Sequence, residues 1–476
     1  MFFGREELMD ELAGLFRKRT ASLVTCRGRR RIGKSTLIER FAAREGCRFL
    51  KIEGRRPGPG LGNGDELEAF AKQLAAQTEA ERGAPANWLD AFRRLDGQLG
   101  GQRKTVVLLD EVSWLGQYDG SFADDLKVAW DNWFKKHDRL VMVLCGSVSS
   151  WIRENVIDNT AFMGRRSLDM VVPELGLEDC AKFWGRAAER VGARDILDVL
   201  SVTGGVPRYL EEIDPGAGAM ENIRRLCFRP NAVLRTDFDE MFRDTVGKER
   251  EFSAKVLRRL AEGAASAAEV AKSLGEAKGG RVSGALSRLG EAGFAALDDA
   301  ADPETGRTPR ERRWRLRDNY ARFYLKYIEP AKTAIDECSF ADTPLEALPG
   351  IEGVMGLAFE NLVVNHAREL LPLLGMRGVL ATSVSPWRRR GTTGRKGVQI
   401  DLLARGRRVA CVVEVKRRRE LGREIIDEVD EKVRAVKWPE GMAVRTALVY
   451  EGRLSPGVEA DGYFDAMVPF GRLLGL

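Results

Sequence analysis

Two sets of residues in this chain have the types and spacing to act on phosphate. The first lies in Cys26 to Thr36, which reads Cys-Arg-Gly-Arg-Arg-Arg-Ile-Gly-Lys-Ser-Thr. Before it stands the apolar stretch Ser22-Leu-Val-Thr-Cys, and after it Leu37-Ile-Glu-Arg-Phe has helical spacing. Between a strand and a helix, Gly28, four residues, then Gly33-Lys34-Ser35 is the pattern of a phosphate-cradling P-loop. The glycines let the backbone curl, so that N–H groups of Gly28, Arg29, Arg30, Arg31, Ile32, Gly33 and Thr36 turn toward one anion. The helix N-terminus adds its partial positive charge. Lys34 would reach the β and γ phosphates, and Ser35 would ligate magnesium. Downstream, Lys104-Thr-Val-Val-Leu-Leu-Asp-Glu sets a continuous apolar run before two carboxylates, as in a strand buried on both faces of a parallel sheet. Asp110 and Glu111 then sit at the C-terminal end of that strand, where ligands bind in open α/β sheets. Asp110 would join the magnesium shell, and Glu111 would orient or deprotonate an attacking water.

The second set is Asp401 in Val398-Gln-Ile-Asp-Leu-Leu, with Glu414 and Lys416 in Cys411-Val-Val-Glu-Val-Lys. A tight turn at Arg407-Arg408 would place Asp401 opposite Glu414. Strand alternation puts Lys416 on the face of Glu414, and Gln399 on the face of Asp401. Two facing carboxylates repel unless a cation stands between them, and oxygen ligands favour magnesium or manganese. Such an ion would polarise a phosphodiester, with Lys416 positioning water or steadying the developing charge. The competing reading is an amphipathic edge strand on which Glu414 and Lys416 are merely solvated.

The elements that must position these groups follow in order. At 476 residues the chain is long enough for about three domains. Lys plus Arg, 77, against Asp plus Glu, 71, leaves +6, so a nucleic-acid surface must come from local clustering. Seven cysteines without a Cys-x-x-Cys pair look like buried thiols of a reducing cytoplasm, and two histidines exclude a histidine-rich metal site. No signal peptide opens the chain, and no run approaches the ~20 apolar residues of a membrane span.

An amphipathic helix from Arg5 to Arg19 leads into the first strand, and helices are expected over Asp65 to Glu81 and Trp88 to Leu99. Further strands are expected at Phe49-Leu-Lys-Ile, at Asp138 to Cys145, and at Ser167 to Val172. Ser147, just after Gly146, would either sense the γ-phosphate or cap the helix Val148 to Arg153. Helices Leu177 to Val191 and Ile196 to Thr203 read as a lid. From Glu249 three alanine-rich helices precede Gly293-Phe-Ala-Ala-Leu and Trp314-Arg-Leu-Arg, which would pair as a wing. The third helix offers Arg281, Ser283, Ser287 and Arg288. This winged helix-turn-helix would either meet DNA or serve as a packing module. The division is an α/β core at 1–175, a helical lid at 176–248, a winged helix at 249–328, a linker at 329–350 and a C-terminal mixed α/β domain at 351–476.

Taken together, Phe3-Gly-Arg-Glu, Arg27-Gly-Arg-Arg-Arg-Ile-Gly-Lys-Ser, Leu109-Asp-Glu, Cys145-Gly-Ser and Gly204-Gly-Val-Pro-Arg-Tyr resemble the archaeal-type ATPases of the AAA+/STAND superfamily, over residues 1–230. The resemblance implies ATP as ligand, Gly4 and Arg5 near the adenine pocket, Ser147 in the sensor position and Pro207 approaching the nucleotide from the lid. It also implies self-association through the ATPase domain, with Arg165 or Arg166 as candidate arginine finger. Asp401, then Glu414-Val-Lys416, with Glu360 on the preceding helix, resembles the PD-(D/E)XK nuclease superfamily, although Gln-Ile-Asp lacks the Pro-Asp pair. That resemblance implies a metal held by Asp401, Glu414 and Glu360. The same C-terminal block resembles a domain of uncharacterised function that accompanies archaeal-type ATPases.

Trp387-Arg-Arg-Arg, Arg395-Lys396, Lys416-Arg-Arg-Arg and Arg423 would form a surface tracking the phosphates of double-stranded DNA. The expectation is a cytoplasmic protein that binds and hydrolyses ATP and acts on DNA, with a magnesium- or manganese-dependent phosphodiester-cleaving site at Asp401, Glu414 and Lys416. The alternative is an ATP-switched DNA- or protein-binding regulator with an inactive nuclease fold.

Overall fold

The computed structural model describes residues 2–146, 149–246, 249–277, 279–309, 312–340, 343–391, 393 and 396–476. The chain packs as two compact units, Gly4–Pro173, and Glu174–Leu476 together with Met1–Phe3.

The first unit is built on five strands: β1 (Ser22–Arg27), β2 (Arg48–Glu53), β3 (Thr105–Asp110), β4 (Leu140–Gly146) and β5 (Arg166–Val171). Every neighbour pair is parallel, in the order β2-β3-β4-β1-β5. β3 and β4 are buried at every position, which is why their sequences are unbroken apolar runs. The helix Glu6–Leu15 buries Met9, Leu12 and Leu15, and ends earlier than its apolar spacing suggests. On one face of the sheet a core of Leu109, Trp88, Phe92, Phe122 and Phe134 is locked by edge-to-face ring contacts. Trp88–Asp96 starts where Asn87 accepts the N–H of Asp90, a side-chain cap for otherwise orphaned donors.

In the second unit the helix expected over Leu177 to Val191 is broken into Leu177–Ala181, Lys182–Ala187 and Ala188–Val191. Gly185 takes φ 51°, outside helical geometry, and only glycine does so without strain. The helix Ala193–Thr203 follows as expected. Helices Arg250–Ala261, Ala267–Ser273 and Gly280–Glu291 lead to an antiparallel hairpin of β6 (Ala295–Asp298) and β7 (Arg313–Leu316). Ser266 and Glu269 form a capping box at the second of these helices. Helix Ile351–Asn365 then precedes a mixed sheet of β8 (Ser383–Arg389), β9 (Val398–Arg405), β10 (Val409–Leu421), β11 (Ala443–Leu454) and β12 (Ala466–Pro469), ordered β12-β11-β10-β9-β8. The pairs β8–β9 and β9–β10 are antiparallel, while β10–β11 and β11–β12 are parallel, with helix Glu424–Ala435 making the crossover between β10 and β11.

The loop beyond β6 is not a free wing. Ala301 N–H donates to Ser383 Oγ (2.9 Å), Asp299 N–H to Ser385 Oγ (3.2 Å), and Arg405 Nε to the Pro303 carbonyl (3.2 Å). Ala300 is buried in the apolar core of the mixed sheet beside Trp387 and Val398. The hairpin loop therefore covers β8, an edge strand whose open backbone groups would otherwise template pairing. Of the seven cysteines, all thiols, Cys338 is exposed and the other six are buried. Among the described residues no helix is long and apolar enough to cross a membrane.

Candidate functional site

The phosphate-type site begins at the end of β1. Gly28 has φ 151°, and a Cβ there would lie 2.6 Å from the Val172 carbonyl oxygen, so the loop turns on glycine alone. Gly33, at φ 84°, opens the helix Lys34–Arg44. The buried Lys34 ammonium donates to the carbonyls of Gly28 (3.1 Å) and Arg29 (3.2 Å), which folds it over the loop it is meant to charge. Arg30 lies over the Trp114 ring, Arg31 takes φ 68° at the loop tip, Ile32 is buried and Thr36 is exposed on the helix.

Ser35 Oγ donates to Asp110 Oδ2 at 2.6 Å, joining loop and β3 at the point where a magnesium shell is expected. Glu111 follows in the left-handed region, φ 45°, and its N–H donates to Asp110 Oδ1 (3.1 Å). Arg5 donates to the Ile32 carbonyl (3.2 Å), with Gly4 and Arg5 both at positive φ, so the segment implied to lie by the adenine touches the P-loop. Lys51, which sequence reasoning missed, stands 3.4 Å from Asp110 Oδ2. Burial works against its ammonium, but Asp110, Glu53 and Glu39 outweigh that and raise its pKa.

Three expectations for this unit change or lie open. Ser147 falls outside the described residues. Arg165 is a poor arginine finger because it makes a two-pronged pair with Asp131 of its own chain (2.8 and 2.9 Å), which holds the Asp131 carboxyl down to about 2. Arg166 is likewise engaged, by Asp169 and the Ile157 carbonyl. Pro207 opens the turn Pro207–Leu210 in the second unit, after Gly205, whose backbone passes too close to Leu175 for any side chain.

In the second unit the β9–β10 hairpin has the expected register: Arg405 pairs with Ala410, and Leu402 with Val413. Regular pairing stops one residue short of Asp401 and Glu414. There Asp401 Oδ2 accepts the Val415 N–H (3.0 Å), so a carboxylate takes over from the ladder. Asp401 is 8 % exposed and Glu414 0 %, which removes the reading of a solvated edge strand. Gln399 is exposed, and lines the same cavity as Asp401.

Glu414 is neutralised from two sides. Lys416 Nζ lies 2.7 Å from Oε1, outside hydrogen-bonding direction, and Lys432 Nζ bonds Oε2. Burial works against the Lys416 ammonium, and Glu414, Asp401 and Glu428 more than compensate, raising its pKa. Lys432 was missed, although Ile425, Val429 and Lys432 share one helical stripe and a lysine on a buried stripe is a signal. Glu360, on Ile351–Asn365, is pushed up to about 7 by burial and then by Asp401. Asp401 rises to about 6 through burial and Glu414.

These carboxylates thus feel one another, but among the described residues no three acidic, histidine or cysteine side chains are grouped to hold a metal. The cage of Asp401, Glu414 and Glu360 is not formed. The donor chemistry of Asp401 and Glu414, two buried carboxylates, still fits an oxygen-seeking divalent ion, which would have to displace Lys416 or Lys432 from Glu414.

The basic runs divide. Arg417 is 4 % exposed and pairs with Asp198 (2.8 Å) and Glu352 (2.6 Å), so it belongs to the interior and not to a phosphate-tracking face. Arg423 pairs with Asp461, Arg390 with Glu269, and Arg389 donates to the Ala435 carbonyl. Arg388 stays exposed with no ion pair to a described residue. Lys396 pairs with Glu431, and Arg395 lies outside the described residues.

A five-stranded parallel sheet with a glycine cradle, a buried lysine and a serine on a strand-end aspartate defines a P-loop nucleotide-binding domain. Residues 2–213 match a family described as an ATPase domain predominantly from Archaea, which agrees with an ATPase-type nucleotide-binding domain over this part of the chain. An uncharacterized protein of Methanocaldococcus jannaschii is 23 % identical over 424 residues, covering 87 % of each chain. The structure of a Walker-type ATPase of Pyrococcus abyssi superposes with a TM-score of 0.50 at 15 % identity, over 68 % of this chain and 96 % of that one, a likeness of fold.

Proposed function

We propose that this protein hydrolyses ATP and acts on DNA, and that its C-terminal sheet carries a phosphodiester-cleaving site at Asp401, Glu414 and Lys416. The observation that carries the second half is the burial of Asp401 and Glu414 beside Lys416, with Asp401 opening onto an arginine-bearing cavity. Burying two carboxylates costs several kcal/mol per ion before pairing with the half-buried Lys416 and Lys432 offsets it, and apolar side chains at a merely structural strand end would carry no such cost.

In the ATPase unit, Lys34 would leave the loop carbonyls for the β and γ phosphates, Ser35 and Asp110 would hold a magnesium ion, and Glu111 would orient the water. A magnesium ion there would neutralise the developing phosphate charge. In the C-terminal sheet, Asp401 and Glu414 would hold a divalent ion, which would polarise the phosphodiester. Lys416 would steady charge on the attacked phosphate, and Lys432 holds Glu414 Oε2 in place through its bond. The three-helix and hairpin order supports a winged helix, and its docked loop favours a packing role for the hairpin over insertion into DNA.

A second reading is supported by a specific observation: both oxygens of Glu414 already face ammonium groups. On that reading the C-terminal sheet binds without cutting, and ATP state switches the binding.

ATP hydrolysis and plasmid cleavage measured on one sample, with magnesium or manganese, separate the two. The proposal expects nicking that Asp401→Ala abolishes while DNA binding persists. Calorimetry showing no metal uptake sensitive to Asp401→Ala, with no cleavage under any nucleotide, would leave only the regulator.

A further inference from the structure

A cavity of about 410 Å³ opens beside Asp401. Its walls come from the β6–β7 hairpin, from helix Ile351–Asn365 through Leu357 and Glu360, and from β8 through Trp387 and Arg388. The hairpin wall is fixed. Its loop hydrogen-bonds Ser383 and Ser385 of β8, Ala300 is buried in the core of the sheet, and Arg315 of β7 reaches Asn365 (2.8 Å) and Asn361 on the helix that carries Glu360. Two exposed arginines at the cavity, Arg312 and Arg388, make no ion pair with any described residue. Leu357 turns a side chain 47 % exposed toward the same space, an unusual position for a leucine among so many charges.

We infer that this cavity admits one strand of a nucleic acid, a single-stranded stretch or frayed end, and excludes a continuous duplex. The inference rests on the proposed action on nucleic acid, and narrows its substrate from the double strand to the single strand. The physical reason is size and fixed walls. The volume lies near the lower end of the roughly 300–1,000 Å³ that holds a small ligand, which suits about one nucleotide. A duplex keeps its second backbone across grooves about 6 and 12 Å wide, and a cavity of this volume walled by the hairpin, the helix Ile351–Asn365 and β8 has no room for both backbones. Single strands are held by cationic groups along the backbone and apolar or aromatic surfaces under the bases. Arg312 and Arg388 supply the first, and Leu357 with the edge of Trp387 supplies the second. A phosphate held by the two arginines comes to Asp401 from the open side of the cavity.

The test uses the full chain, a labelled oligothymidylate and a blunt duplex of equal length, with binding followed by fluorescence anisotropy. The expected result is single-strand affinity at least about tenfold above that for the duplex, falling about tenfold or more in Arg388→Glu and in Arg312→Glu. The near-ultraviolet circular dichroism and thermal melts of both variants should match wild type, which shows that the second unit is folded. Equal affinity for both forms, or a duplex preference lost in Arg388→Glu, overturns the inference and leaves the nucleic-acid reading standing. Binding of neither form overturns both.

Discussion

Lys34 is the residue on which nucleotide affinity depends most directly, because its ammonium is already curled over the loop carbonyls of Gly28 and Arg29 and needs only to swing to the phosphates. Lys34→Ala should abolish ATP binding measured by calorimetry or a fluorescent analogue, and wild-type affinity would remove the site assignment. Glu111 acts later. Its left-handed backbone aims it off the end of β3, and Glu111→Gln keeps the shape while losing the base. ATP should still bind, with steady-state turnover down about 10²-fold or more. Unchanged turnover would place the catalytic carboxylate elsewhere.

Among the elements, the β6–β7 hairpin carries the most informative buried pair. Asp298 Oδ1 accepts from Arg315 Nε at 3.0 Å, yet burial still pushes the Asp298 carboxyl up to about 6 and outweighs the arginine, whose own pKa falls through the same burial. A carboxyl whose pKa is higher folded than unfolded binds more protons in the native state between the two values. Its contribution to stability is greatest below about pH 4 and is lost as pH rises through about 6. Thermal melts should show this decline in the wild type, worth up to about 2–3 kcal/mol, and a flatter profile in Asp298→Asn. Identical profiles would mean that the pair is hydrated and the hairpin less firmly docked.

At the scale of the molecule, Arg417 joins parts of the second unit that are far apart in sequence. It leaves β10 to meet Asp198 of helix Ala193–Thr203 and Glu352 of helix Ile351–Asn365. β10 has a bulge between Arg417 and Glu420, where Gly452 of β11 passes so close to the Arg418 carbonyl that no side chain would fit. That irregularity interrupts simple alternation beyond Arg417. Arg417→Ala strands Asp198, whose carboxyl burial already raises, and should cost about 3 kcal/mol or more in denaturant unfolding of the full chain. A loss below about 1 kcal/mol would show that water replaces the guanidinium.

The local, repetitive and chemically dense parts of the chain were legible before any fold was known. Gly28, Gly33, Lys34 and Ser35 were legible because a phosphate cradle needs those types at that spacing. The buried strands were legible because residues 106–109 of β3 and 140–145 of β4 are apolar without a break. Even the register that brings Asp401 toward Glu414 followed from a two-residue turn, since side chains alternate at a period of two. Which charges are neutralised by which neighbours came from long-range packing. Lys432 arrives at Glu414 across a helix crossover, Arg417 is turned inward, Arg165 is taken by Asp131, and the hairpin loop lies over β8. Each is a contact between segments distant in sequence, where burial sets the energy of a charge and the chain gives no spacing rule. For the same reason the arginines of one basic run in sequence, Arg388 to Arg390, have different fates: one stays exposed without an ion pair to a described residue, one binds a carbonyl and one pairs with Glu269.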